Sequence, residues 1–147
     1  MSKILLTFSF ICISFIGFCD TLDFYHVYLN DSLIGQFNLN SDKASFEFNT
    51  SKIKDTDSVI VRHVSDSPCV NCTYVLSVLI EVKEKTPEAK TNKPFGKLSI
   101  PSKELIYFKN KYDINEFHFN YSKKSKDELN NYEVYLFSIK FIEDEKE

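Results

Sequence analysis

The chain has 147 residues, of which 43% are apolar, 15% aromatic and 27% charged, and its formal net charge is -3. This apolar fraction excludes a disordered chain, and the small negative charge gives no electrostatic basis for binding nucleic acid. The three glycines, Gly17, Gly35 and Gly96, are isolated from one another, which excludes glycine-rich phosphate loops and dinucleotide fingerprints.

Residues 1–19 have the organisation of a secretory signal peptide. A short positive start precedes an uncharged apolar run over residues 4–18. That run is shorter than the about 20 residues that a membrane-spanning helix needs. Gly17 and Cys19 place small residues three and one before Asp20, as a signal-peptidase site requires. We therefore predict cleavage after Cys19.

Residues 20–147 are predicted to be one exported domain, periplasmic or extracellular. Its net charge is -4, because only Lys3 is lost with the signal segment. Lipidation of Cys19 is the alternative, and it would make the protein an outer-envelope lipoprotein held at a membrane surface. Without lipidation we expect no membrane contact, and we expect a monomer.

The dominant hydrophobic period in the predicted domain is two, which is the period of strands with one face on a core and one in water. The pattern predicts about eight strands in an all-β, antiparallel two-layer sandwich, Ig-like or similar. In chain order these strands lie at residues 21–29, Ser32–Asn38, 44–48, Ser58–Val64, 74–82, 96–100, 117–121 and 135–141.

Three segments refine this pattern. Residues 84–94 contain two prolines and are predicted to be a polar loop. Residues 103–109 are expected to form one or two helical turns capped by Ser102. Residues 74–82 are compatible with a helix or a strand, and their β-branched residues favour the strand. In the last strand, Tyr135 and Phe137 are expected to share one face.

Cys69 and Cys72 are the sharpest feature, because they are the two cysteines left after the predicted cleavage and are separated by only two residues. In an oxidising compartment the first interpretation is a structural disulfide. A redox-active pair is the alternative. A zinc site that also uses His63 and His118 is a weaker one, since a second pair of closely spaced ligands is missing. We expect no metal and no cofactor.

The redox alternative is based on a resemblance. The run VIVRHV, then PCVNC, then an apolar segment resembles the strand–CxxC–helix unit of the thioredoxin family, and FGKLSIPS resembles that family's cis-proline loop. The resemblance implies Cys69 as nucleophile, with Pro101 facing the cysteine pair. Only 28 residues separate Cys72 from Pro101, where the family has a helix, a strand and a further helical segment. We therefore rank this interpretation below the structural disulfide.

A second resemblance spans most of the predicted domain. The order DFYHVYLND, SDSPCVNC, an apolar strand and a final aromatic strand is similar to small exported β-sandwich proteins of AT-rich bacteria. This resemblance supports the fold and implies no activity.

Histidine and tyrosine side chains are the remaining candidates for chemistry or recognition. His26, His63 and His118 are predicted to be surface or rim residues of strands, with no catalytic role. Four tyrosines are expected on outer faces, where tyrosine offers a large recognition surface; these are Tyr25, Tyr28, Tyr132 and Tyr135. We rank a recognition role below the simpler interpretation that these side chains fill positions of edge strands. The sequence therefore predicts a non-enzymatic binding or envelope-associated module, and the alternative is a periplasmic thiol–disulfide oxidoreductase.

Overall fold

The computed structural model describes residues 23–38, 41, 44–69, 71–125 and 132–143. The predicted signal segment, with Cys19, lies outside these residues. The elements in chain order are β1 Phe24–Leu29, β2 Ser32–Asn38, β3 Ala44–Asn49, β4 Ser58–Val64, β5 Cys72–Leu79, β6 Glu88–Thr91, β7 Lys97–Pro101, α1 Ser102–Tyr112, β8 Glu116–Ser125 and β9 Tyr132–Ile142.

Two sheets contribute to one hydrophobic core, which confirms the predicted sandwich. The four-stranded sheet has the order β2-β1-β4-β7, and the five-stranded sheet has the order β3-β9-β8-β5-β6. The hairpin β1–β2 turns at Asn30, whose φ of 56° is a conformation that asparagine tolerates. The core between the sheets is built from alternate residues of both.

Strand β5 resolves the ambiguous segment in favour of the strand. It pairs with β8 along its whole length, and Tyr74, Leu76 and Val78 are buried on its core side. A thioredoxin-like fold requires a helix after Cys72, and this chain has a strand there. The thioredoxin-like interpretation is therefore wrong. Part of the predicted polar loop is wrong as well, because Glu88–Thr91 pairs with β5 as the edge strand β6.

Strand β3 pairs with β9 in parallel, whereas the other strand pairs are antiparallel among the described residues. The sequence had indicated antiparallel pairing throughout. The chain leaves β3 for the other sheet, so no hairpin fixes the direction of β3 relative to its neighbour.

Helix α1 is longer than expected and begins differently. It covers three turns and buries Leu105 and Phe108 against the core. Its N-cap is Pro101, and Ser102 lies inside the first turn, so the predicted cap by Ser102 is wrong. The Ser102 amide donates to the carbonyl of Asp57 instead (2.8 Å). The helix ends at Tyr112, and the next residue, Asp113, adopts a left-handed conformation (φ 55°).

A β-bulge in β9 changes which side chains face the core. Phe119 pairs with Phe137, but the next residue of β8, Asn120, pairs with Tyr135, so Leu136 is the extra residue. The predicted common face of Tyr135 and Phe137 is therefore wrong. Phe137 is buried, and Tyr135 lies against the exposed ring of His118 (5.9 Å).

Candidate functional site

Cys69 and Cys72 form the predicted disulfide, with their Cα atoms 5.5 Å apart. Cys72 is buried and is the first residue of β5. The hydroxyl of Tyr74 donates a hydrogen bond to the Cys69 carbonyl (2.8 Å), which attaches the disulfide loop to the strand that follows it. The disulfide thus fixes the entry of the chain into the five-stranded sheet.

The structure does not bring together the residues of the redox alternative. Pro101 pairs with Ser58 at the start of β4, whereas Cys69 follows the end of that strand. Val64 lies six positions beyond Ser58 in extended chain, a distance of about 20 Å. The peptide bond before Pro101 is also trans, because the described residues contain no cis peptide bonds. Cys72 is followed by a strand, so no helix N-terminus stabilises a thiolate there.

His63 is buried between the sheets, and the expectation that it lies at the surface is wrong. It is 7% exposed, and its Nδ1 atom lies 2.9 Å from the Tyr121 hydroxyl. Its Nε2 atom lies 3.1 Å from Oδ1 of Asp23, without the alignment of a hydrogen bond. The sequence contains a pattern that could have placed it, because His63 continues the alternation of the buried residues Val59 and Val61.

Two tyrosines complete this arrangement. The ring of Tyr25 stacks on His63 at 4.9 Å, and its hydroxyl shares a hydrogen bond with that of Tyr132 (2.5 Å). We call Asp23, Tyr25, His63, Tyr121 and Tyr132 the His63 cluster. Tyr25 and Tyr132 had been expected on outer faces, and both instead contact groups between the sheets.

Burial determines the protonation of the His63 cluster. It lowers the pKa of His63 against the opposing effect of Asp23, so the imidazole is neutral near pH 7. Because the Asp23 carboxylate faces Nε2, the proton belongs on Nε2, and the Tyr121 hydroxyl donates to Nδ1. Burial also holds the pKa values of Tyr25 and Tyr121 well above the ordinary value. The cluster therefore consists of neutral groups around one partly exposed carboxylate.

The His63 cluster joins the two sheets. His63 and Tyr25 belong to the four-stranded sheet, whereas Tyr121 and Tyr132 belong to the five-stranded one. Both of its hydrogen bonds thus run across the sandwich and fix how one sheet lies on the other.

The other two histidines lie as expected on outer faces. His26 is half-buried on the outer side of β1, and His118 is exposed on the outer side of β8. Of the tyrosines expected outside, Tyr28 lies beneath the Arg62 guanidinium (5.5 Å from the ring centroid) and Tyr135 lies beside His118.

An open groove lies where β5 ends, beside the end of α1 and the start of β8, and we call it the β5–α1 groove. Its volume is about 740 Å³. Leu79, at the last position of β5, is 47% exposed and lies opposite His118 in the sheet. Most of the lining is apolar, and its residues are Leu79, Ile80, Glu81, Val82, Tyr112, Ile114, Glu116 and His118.

Glu84 holds one wall of the groove against α1. Its Oε2 atom accepts hydrogen bonds from Lys111 Nζ (2.8 Å) and from the Tyr112 hydroxyl (2.7 Å). Its Oε1 atom accepts one from the Tyr107 hydroxyl (3.2 Å). The hydrogen bond from Lys111 is the largest cause of the lowered pKa of Glu84. The segment after β5 is thus attached to the end of the helix, which orients the Tyr112 ring beside the groove.

Two further carboxylates lie at the edge of the groove. Glu81 and Glu116 are exposed, and neither forms an ion pair within the described part of the chain. Lys140 is the cross-strand neighbour of Glu116, at more than ion-pair distance. The groove therefore combines an apolar floor with negative charge at its edge.

The described residues contain no group of histidine, cysteine and carboxylate side chains arranged to hold a metal ion. Within the same residues, no helix has the length and apolar character needed to cross a membrane. No family model, no curated protein and no solved structure matches the chain.

Proposed function

We propose that this protein is an exported, non-enzymatic binding module and that the β5–α1 groove is its ligand site. The observation that carries the proposal is the groove itself. Its volume of about 740 Å³ lies within the range of about 300–1,000 Å³ that is typical of sites for small molecules. The Cys69–Cys72 disulfide supports export, since such bonds persist in oxidising compartments.

The lining of the groove indicates the class of ligand. Leu79, Ile80 and Val82 offer aliphatic surface, and Tyr112 offers a ring whose hydroxyl is already bonded to Glu84. The carboxylates at the edge favour a positive charge on the ligand. We therefore assign to the groove an apolar molecule, or an apolar side chain of a larger one, that carries one cationic group.

The buried polar groups support a binding role over a catalytic one. His63, the one buried histidine among the described residues, is held between Asp23 and Tyr121 and joins the sheets. A general base has to reach the proton that it removes, and here both ring nitrogens of His63 face side chains of the protein itself, Asp23 and Tyr121. We therefore assign to the His63 cluster a role in stabilising the fold.

Two naphthalene dyes with substituents of opposite charge test the proposal. One carries a trimethylammonium group and the other a sulfonate, and the fluorescence of each is titrated with the protein. We expect saturable binding of the cationic dye and weaker binding of the anionic dye. The variant Leu79→Ser should weaken binding of the cationic dye about fivefold, because it removes part of the apolar floor.

Leu33→Ser is the matched control, since Leu33 is also an exposed leucine at a strand (52% exposed) but lies on β2, outside the groove. It should leave the affinity for the dye unchanged. The variant Glu116→Gln should reduce the preference for the cationic dye about threefold. Equal effects of Leu79→Ser and Leu33→Ser, or equal affinities for the two dyes, would contradict the proposal.

A further inference from the structure

Two cationic side chains lie directly opposite one another on the outer face of the four-stranded sheet. Arg62 of β4 pairs with Lys97 of β7, and both side chains are exposed. They line a small pocket of about 70 Å³, which we call the outer-face pocket. Its lining residues are Tyr28, Asn30, Asp31, Ile60, Arg62 and Lys97.

This pairing costs free energy unless something compensates it. Like charges directly opposite one another on a sheet destabilise it. Among the residues that the structure describes, no carboxylate lies within ion-pair distance of Arg62 or Lys97. The chain as a whole is acidic, with 21 acidic against 18 basic residues. Asp31, which also lines the pocket, forms no ion pair with either cation, so both positive charges are available to an anionic ligand.

The arginine is also held in place. Its guanidinium lies over the Tyr28 ring, 5.5 Å from the centroid. Ile60, the cross-strand neighbour of Tyr28, is buried and also lines the pocket. The planar guanidinium carries two parallel N–H groups, which match two oxygens of one oxyanion.

We propose that the outer-face pocket binds a small tetrahedral oxyanion, a phosphate or sulfate group. In this site Arg62 donates two hydrogen bonds to the group, and Lys97 adds a third donor from the neighbouring strand. The group is either the free ion or the exposed end of a larger ester. This site lies on the opposite sheet from the β5–α1 groove and does not depend on it.

Two carboxylates near the pocket affect its expected affinity for an oxyanion. Asp57 is occupied, since it accepts hydrogen bonds from the Asn30 side chain (2.9 Å) and the Lys54 amide (2.8 Å). Asp31 lies in the turn between β1 and β2, lines the pocket and repels an anion. Removal of the Asp31 charge should therefore strengthen binding, whereas removal of either cation should weaken it.

The experiment is a titration of the full predicted domain, residues 20–147, followed by amide NMR shifts. Inorganic phosphate, sulfate and glycerol phosphate are added separately, each against sodium chloride at equal ionic strength. We expect saturable shifts around Arg62 and Lys97 with phosphate and sulfate that chloride does not reproduce. Tighter binding of glycerol phosphate would identify an ester as the ligand, and tighter binding of inorganic phosphate would identify the free ion.

Charge variants make the test specific. Arg62→Gln and Lys97→Gln should each weaken phosphate binding at least about threefold, and Asp31→Asn should tighten it about twofold. Lys103→Gln is the matched control, because Lys103 is an exposed lysine on α1, outside the pocket. If Lys103→Gln weakens binding as much as Lys97→Gln, the effect is one of net charge and the proposed site is wrong. Shifts that do not saturate would also overturn the proposal.

Discussion

Replacing Tyr121 with phenylalanine tests whether the His63 cluster stabilises the sandwich. The Tyr121 side chain is fully buried, and its hydroxyl is the partner of His63 Nδ1 at 2.9 Å. The variant keeps the ring and removes only the hydroxyl, so it leaves a buried nitrogen without its partner. Such a loss costs about 1–3 kcal/mol of unfolding free energy. This is a large part of the about 5–15 kcal/mol available to a domain.

The assay is equilibrium unfolding in urea at pH 7.5, followed by circular dichroism. Tyr107→Phe is the control, because the Tyr107 hydroxyl also makes hydrogen bonds, to Glu84 and from Lys111, but the side chain is 46% exposed. The control should change stability by less than about 0.5 kcal/mol. If the two variants lose the same free energy, the His63–Tyr121 hydrogen bond does not join the sheets as we infer.

The same cluster predicts a pH dependence with a definite sign. Burial lowers the pKa of His63 in the folded state, whereas the unfolded chain titrates near the ordinary value of about 6.5. The unfolded state therefore binds more protons below that pH, and stability falls as the pH decreases from about 6.5 toward the folded pKa. Above about pH 7 the contribution is constant. A His63→Gln variant should lose this slope, and an unchanged slope would show that another group causes it.

Three further predictions follow from single features. The variant Cys69→Ser/Cys72→Ser should lose about 1–3 kcal/mol of stability, and the wild-type disulfide should show no turnover in an insulin-reduction assay; turnover would identify a redox protein. Gly35→Ala should cost about 1–3 kcal/mol in urea unfolding, because the added Cβ would collide with the Phe46 ring. Mass spectrometry of the exported protein should show a mature chain that begins at Asp20, and an acylated Cys19 would contradict this.

Strands with a simple local pattern were predictable from the sequence. In β4, Val59 and Val61 are buried with an exposed Arg62 beside them, and the run is rich in β-branched residues. In β5 the same residue types outweighed a helical pattern of equal strength. Both strands follow from side-chain alternation and rotamer restriction, which act over a few residues.

The sequence predictions that were wrong concern features that depend on the partner strand. The bulge at Leu136 exists because β8 and β9 pair in different registers on its two sides, so the sequence of β9 alone places Tyr135 on the wrong face. The parallel pairing of β3 with β9 joins segments about 90 residues apart in the chain. Neither feature leaves a local pattern, since each is decided by which strand lies next in the sheet.

The candidate sites likewise divide into one that has a local sequence pattern and two that are assembled from distant segments. The cysteine pair was found because its two members lie three positions apart and bond to each other. The β5–α1 groove was not found, because it is assembled from residues 79–82 and 112–118. These segments are brought together by the pairing of β5 with β8 and by the attachment of Glu84 to α1. The outer-face pocket likewise requires the register that places Arg62 opposite Lys97.

Strand β5 connects the disulfide with the groove, which makes their independence testable. The strand starts at Cys72 and ends at Leu79, a separation of about 23 Å at about 3.3 Å per residue. Effects of changes more than about 7–10 Å apart are usually independent. If the disulfide only fixes the entry of the chain into the sheet, the double serine variant should be less stable than wild type. Without urea, where both proteins are folded, its affinity for the cationic dye should stay within about twofold of wild type. A tenfold loss of affinity in a folded variant would show that the disulfide positions the groove, and the assignment of a purely structural role to Cys69 and Cys72 would then be wrong.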